Sequence, residues 1–334
     1  MQMRVATGVP VTYARPASRP VATPTESEPG WIDTFKNSAL FTAGGLLYKF
    51  ANLKSSLSQK LCGGLEGEPG STLKRPVVLV PGFTTEMTTF EPLMEHLTQD
   101  GANGGRPYYI RDGQVFLDPE CSQTAQPDPE ARVFRVVPHG KWDAPPDMAA
   151  QLHKDLPAIR EFTGAARVDA AAYSMGGIST RLFLDQEGDG IGKLMMIGTP
   201  NRGTRTASLC HWAITQGVGW AMSLAGMEPA ALPALAWLRS LDEGENPQLA
   251  SLNDRLERQM QRVEDVRTVG SDGFTTPAYA EWGFAEGDSL VEAASLKLKE
   301  VCTSILPGGG TKCHQGLPDD PEVYGEMRSF FGWD

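Results

Sequence analysis

The sequence predicts an α/β fold with a mostly parallel central sheet flanked by helices, and three observations predict it. From Arg75 onward, short apolar runs with turn chemistry at their ends alternate with helix-length stretches, the rhythm of a parallel sheet. One of these runs leads through Ala172-Tyr173-Ser174-Met175-Gly176-Gly177 straight into a helical run, Gly-Ile-Ser-Thr-Arg-Leu-Phe-Leu. The chain has 334 residues, 40% hydrophobic and 21% charged, which is enough apolar material for one large or two small domains.

Residues 1–70 are expected to form an N-terminal extension. Residues 1–30 carry Arg4, Arg15 and Arg19 with no acid before Glu26, are rich in Pro, Ser and Thr, and lack the apolar stretch of a secretory signal, so they read as a flexible leader. That leaves the compartment open. Residues 31–61 read as one or two amphipathic helices that pack on the body. Residues 71–334 form the predicted main domain. Its strands are expected at Pro76–Val80, Arg132–Val137, Arg167–Tyr173, Lys193–Ile197 and Val266–Val269, and its helices at Phe90–Gln99, Asp147–Phe162 and Gly177–Gln186. No internal repeat is visible.

Two segments break the rhythm. Gly101–Ala131, rich in Gly, Pro and Asp, is expected to be a long surface excursion holding a small hairpin at Pro107–Phe116. Residues 204–262 hold Trp212, Trp220, Met222, Leu224, Met227, Leu232, Leu235, Trp237 and Leu238, three of the seven Trp in the chain. Such a helical insertion is apolar on more than one face, so it reads as a lid that offers a face to a lipid interface; the alternative is a helical subdomain whose Trp residues are all core.

Formal net charge is −11 and no Lys/Arg cluster stands out, which argues against nucleic-acid phosphates or an anionic membrane surface as partner. The apolar stretch Ala39–Tyr48 is too short to span a bilayer, so no transmembrane segment is expected. The five cysteines show no zinc spacing, and no metal or cofactor is expected. A Cys302–Cys313 bridge, if oxidised, would contribute about 3 kcal/mol by chain entropy.

The chemistry centres on Ser174. A serine between Ala172 and Gly176, at a strand-to-helix turn, is what a nucleophile elbow requires, because the tight turn admits only small neighbours, and the helix that follows brings free N–H groups to the place where negative charge develops. The stretch Phe162–Gly177 resembles the elbow region of bacterial true lipases of the α/β-hydrolase superfamily, the small Bacillus lipases among them. Pro76–Phe83 resembles their first core strand and oxyanion loop, and Ile197–Thr204 resembles the segment leading into their lid. The resemblance implies an α/β-hydrolase fold and a serine ester hydrolase, a lipase or carboxylesterase, acting on small-molecule esters or lipids with apolar acyl chains. It departs from the family at Tyr173 and Pro81, where histidines are usual.

A serine hydroxyl needs a base held in the right tautomer by a carboxylate. Of five histidines, His314 alone follows the plausible acids and precedes a terminal helix, in the order Ser, Asp, His of this fold; His139, after a strand, is the reserve. Asp288 resembles the family's acid turn, while Asp272, directly after the strand Val266–Val269, is its geometric rival. The oxyanion hole is expected from the backbone N–H groups of Phe83 and Met175. Phospholipase, thioesterase, polyester hydrolase and acyltransferase chemistry would use the same triad, and an inactive hydrolase fold serving as a binding module is the reading from another class. Asp185-Gln186-Glu187-Gly188-Asp189-Gly190 imitates the start of a calcium loop, but Met196 stands where its last acid belongs, so it reads as a solvated turn.

Overall fold

The computed structural model describes Leu65, Glu68 and residues 70–83, 89–216, 227–244, 246–278 and 283–334. The chain divides into Met1–Leu40 and Phe41–Asp334, and all of the described residues belong to the second part. The leader over 1–30 and the helices expected over 31–61 lie outside them, as do Trp220, Met222 and Leu224.

In chain order the elements are β1 (Val77–Val80), α1 (Glu91–Thr98), β2 (Tyr108–Arg111), β3 (Gln114–Phe116), β4 (Val133–Val136), α2 (Pro145–Thr163), β5 (Val168–Tyr173), α3 (Met175–Asp185) and β6 (Ile191–Ile197). A helical stretch follows, with α4 (Arg205–Thr215), α5 (Leu232–Leu238), α6 (Pro247–Asp254) and α7 (Leu256–Met260). The chain then runs through β7 (Asp265–Ser271), β8 (Phe274–Ala278), β9 (Gly283–Gly287) and β10 (Cys302–Leu306) to α8 (Pro321–Phe331).

Among the described residues, eight strands form one sheet in the order β10-β7-β6-β5-β1-β4-β2-β3, parallel throughout except where β3 turns back on β2. The central strands read as continuous apolar runs because both of their faces are covered. Val78, Val80, Ala170, Ala172, Leu194 and Met196 share one core cluster with residues of α2, α3 and the helical stretch after β6. Val77, Leu79, Ala171, Tyr173, Met195 and Ile197 face the other way, into a cluster with α1 and α8. β8 and β9 form a separate antiparallel hairpin.

Gly101–Ala131 is more than a surface excursion. It carries β2 and β3, which extend the sheet beyond β4 and bury Tyr108, Ile110 and Val115. The helical stretch between β6 and β7 sinks Ala207, Cys210, Ala213, Ala234, Leu235, Leu238, Leu249 and Leu252 into the core, and Trp212 and Trp237 pack half-buried against it. No helix among the described residues is long and apolar enough to cross a membrane.

Cys302 and Cys313 are not bridged to each other. Cys302 opens β10, whereas Lys312, next to Cys313, is hydrogen-bonded through its carbonyl to Ser271, the register partner of Leu306 at the far end of that strand. Four steps of extended chain at about 3.3 Å each separate the two ends, beyond the Cα reach of a disulfide at about 7 Å.

Candidate active site

Parallel strands deliver their C-terminal loops to one edge of the sheet, where ligand sites of open α/β sheets form. Val80 pairs with Ala172 and Tyr173 with Ile197, so β1, β5 and β6 end level. Pro81–Phe83, Ser174 and Gly198 therefore emerge side by side.

Ser174 has φ 53° and ψ −126°, a conformation that costs a non-glycine residue about 1–3 kcal/mol and is kept only where the surroundings enforce it. Its N–H donates to the Ile197 carbonyl at 2.7 Å, and its own carbonyl accepts from Gly177 N–H at 3.0 Å. The neighbours have to be bare. A Cβ on Gly82 would stand 2.7 Å from Ser174 Cβ, and one on Gly176 would stand 2.6 Å from the Val80 carbonyl oxygen and against that of Pro81. Met175 opens α3, so its N–H is among the first-turn donors that no helical carbonyl satisfies.

The structure brings Ser174, His314 and Asp288 together from positions 140 and 26 residues apart. His314 Nε2 lies 2.8 Å from Ser174 Oγ, and His314 Nδ1 lies 2.7 Å from Asp288 Oδ2. All three side chains are buried. The other oxygen of Asp288 accepts from the Leu290 and Val291 N–H groups at 3.1 and 2.8 Å, which fixes the carboxylate by its own turn. With Asp288 accepting from Nδ1–H, Nε2 is left with a lone pair for the serine proton.

The remaining sequence-predicted residues are placed as follows. Phe83 sits half-buried after β1, its ring 5.5 Å from that of Trp142, over which Lys141 Nζ lies at 4.4 Å. Asp272 follows β7 as expected, but His314 meets Asp288, carried back to the site by the β8–β9 hairpin. His139 is not brought to Ser174; its ring is exposed and engaged by Asp112 at 2.5 Å. Asp185, Glu187 and Asp189 of the calcium-loop imitation lie beside Arg255, Arg258 and Arg160 respectively. Among the described residues no group of three His, Cys, Asp or Glu could hold a metal ion.

Two contributors were missed. Gly198 has φ +57°, and a Cβ there would stand 3.3 Å from both Asp288 Oδ2 and His314 Cε1, so the end of β6 must be bare for the acid and base to meet. Its signal was Ile-Gly-Thr directly after a strand. Arg181, seven residues past Ser174 on α3, is fully buried and donates to Gln259 Oε1, Asn201 Oδ1 and Asn253 Oδ1 at 3.0, 3.0 and 2.7 Å. It ties the helix behind Ser174 to α6, α7 and the segment after β6, and no short-range pattern announces it.

No family model matches the chain, and no curated protein sequence is similar to it. Solved structures are. The mature form of Bacillus licheniformis lipase BlEst2 superposes with a TM-score of 0.53 at 16% identity, over 79% of this chain and 94% of that one. Its propeptide form gives 0.51 at 17% identity, over 80% of this chain and 52% of that one. Phospholipase PlaB from Legionella pneumophila, in complex with thio-NAD, gives 0.50 at 14% identity, over 76% and 57%.

Proposed function

With the α/β-hydrolase fold as premise, we propose that this protein is a serine ester hydrolase of the lipase or carboxylesterase kind, working through Ser174, His314 and Asp288. The observation that carries the reading is the unbroken hydrogen-bonded line Asp288–His314–Ser174, ending on a serine held at positive φ at a strand-to-helix turn. Structural likeness to a Bacillus lipase supports the same class, as do the elbow residues that resemble the Bacillus-type motif.

In the proposed reaction Ser174 Oγ attacks the ester carbonyl as its proton passes to His314 Nε2, and Asp288 stabilises the imidazolium. The carbonyl electrons move onto oxygen, which the N–H groups of Met175 and Phe83 receive. As the oxyanion collapses, His314 gives the proton to the leaving alkoxide and the C–O bond breaks. Water, deprotonated by the same imidazole, releases the acid from the acyl-enzyme.

The aromatic pair Phe83–Trp142 next to the oxyanion position supports an apolar acyl group as the substrate feature. The segment over 204–262, with Trp212 and Trp237 half-buried, serves as the lid, and the substrate is a small-molecule ester or lipid. A p-nitrophenyl ester series from acetate to palmitate, hydrolysed by wild type and Ser174→Ala, tests this. The reading expects activity that requires Ser174 and a chain-length optimum. An inert wild type, or a mutant that matches it, removes it.

A further inference from the structure

The last residue of β5 and the residue that follows it both hold His314. Ser174 meets the imidazole. Tyr173, on the opposite face of the strand, donates its phenolic O–H to the His314 carbonyl oxygen at 2.9 Å, across 141 residues of sequence, and the bond is buried. The ring of Tyr173 packs 5.1 Å from that of His314, and Phe90 meets it edge-on at 6.2 Å. The His314 N–H donates to the Asp288 carbonyl at 2.7 Å. Both backbone polar groups of His314 are thus held from far away in the chain, one by the acid's turn and one by the strand that carries the serine.

We infer that Tyr173 is a positioning residue for His314, its hydroxyl fixing the backbone from which the base hangs; the inference rests on the ester-hydrolase reading. The physical argument is one of leverage. His314 opens a short 3₁₀ turn, His314–Asp319, that also contains Pro318, so the ring direction depends on where that turn's backbone is anchored. The far end of the turn is held separately, through Asp319 and Leu93 N–H, so releasing the carbonyl loosens the His314 end, and displacements on the order of 1 Å at a catalytic atom cost up to about 10²-fold in rate. A phenyl ring would fill the same space as the phenol, so packing alone does not call for the hydroxyl, while a buried hydroxyl costs free energy unless it is bonded. Tyrosine at this position supplies a donor long enough to reach across to the base's turn.

Tyr173→Phe keeps the ring and removes the donor. Three readings on the full chain test the inference: kcat and KM on the best p-nitrophenyl ester, the second-order rate of Ser174 labelling by a fluorophosphonate, and Tm. The expected result is that kcat and the labelling rate fall together by about tenfold, the factor that one lost hydrogen bond supplies, with KM within about twofold and Tm lowered by only about 2–4 °C. Unchanged kcat and labelling overturn the inference. So does a loss of activity that vanishes once rates are expressed per folded molecule, since a merely structural tyrosine would act through Tm alone. Wild type is labelled first, beside Ser174→Ala. If wild type takes no label, or Ser174→Ala takes it equally, the ester-hydrolase reading itself has failed; a Ser174-dependent label with Tyr173→Phe at the wild-type rate sinks only the role given to Tyr173.

Discussion

Replacing Gly176 by alanine adds one methyl group at a point where the elbow has no space for it. The new Cβ would lie 2.6 Å from the Val80 carbonyl oxygen, 3.1 Å from the Pro81 carbonyl carbon and against the Pro81 oxygen, all of them backbone atoms that cannot rotate away. Carbon contacts settle at about 3.5 Å, so the start of α3 has to retreat by roughly 1 Å from the end of β1. Two costs follow. Overpacking of this size destabilises by about 1–3 kcal/mol, and the same displacement pulls Met175 N–H and Ser174 away from the oxyanion loop, for a loss of about 10² in kcat/KM. The same substitution at Gly325, exposed in the interior of α8 with nothing within 4 Å of the added carbon, works in the opposite direction. There it removes unfolded-chain entropy and stabilises by about 0.5–1 kcal/mol. Ester hydrolysis and thermal unfolding of the two variants side by side are the assay. Gly176→Ala with activity within about threefold of wild type and an unshifted Tm would refute the packing argument for the elbow.

Asp319 is buried beside the N-terminus of α1, accepting from Leu93 N–H at 3.3 Å; burial, with the Glu91 charge adding to it, pushes its carboxyl up to about 7. Between about pH 4 and 7 the folded state keeps a proton that the unfolded chain has released, so this contribution to stability is full below pH 4 and is lost as pH rises through 7, by up to about 4 kcal/mol. Asp319→Asn should flatten Tm against pH over that window, and an unchanged slope would rule the assignment out. Arg181 is pulled down to about 9 by burial, against the pull of Asp185, and still carries its charge at neutral pH. Lysine there keeps the buried charge but cannot span three amide oxygens, so Arg181→Lys should lose about 2–4 kcal/mol in urea unfolding, and Arg181→Met, which leaves all three oxygens unpaired, at least as much; a methionine variant as stable as wild type would contradict the network. Asp288→Asn should lower kcat by about 10⁴ while Asp272→Asn stays within a few-fold, and equal losses would reopen the choice of acid.

The central strands were legible because each is buried on both faces and so reads as an apolar run bounded by turns, and the elbow was legible because its geometry tolerates only small residues around Ser174. β10 was not. Its sequence Cys-Thr-Ser-Ile-Leu is largely half-exposed at the sheet edge, with neither an apolar run nor clean alternation to mark it. The β8–β9 hairpin, with Gly and Pro inside its strands, reads as loop by composition, and this is why Asp272 and Asp288 stayed in competition: spacing alone does not tell which turn a hairpin folds back toward the histidine. The hold of Tyr173 on His314 spans 141 residues and involves a backbone carbonyl, which has no signature in residue type at all.

The most direct measurement is intact-mass and peptide mapping after treatment with a fluorophosphonate at neutral pH. The account predicts one adduct per chain, on Ser174, formed slowly or not at all in His314→Ala and absent in Ser174→Ala. A wild-type protein that takes up no phosphonate, or takes it up on another residue with Ser174 unmodified, would contradict it.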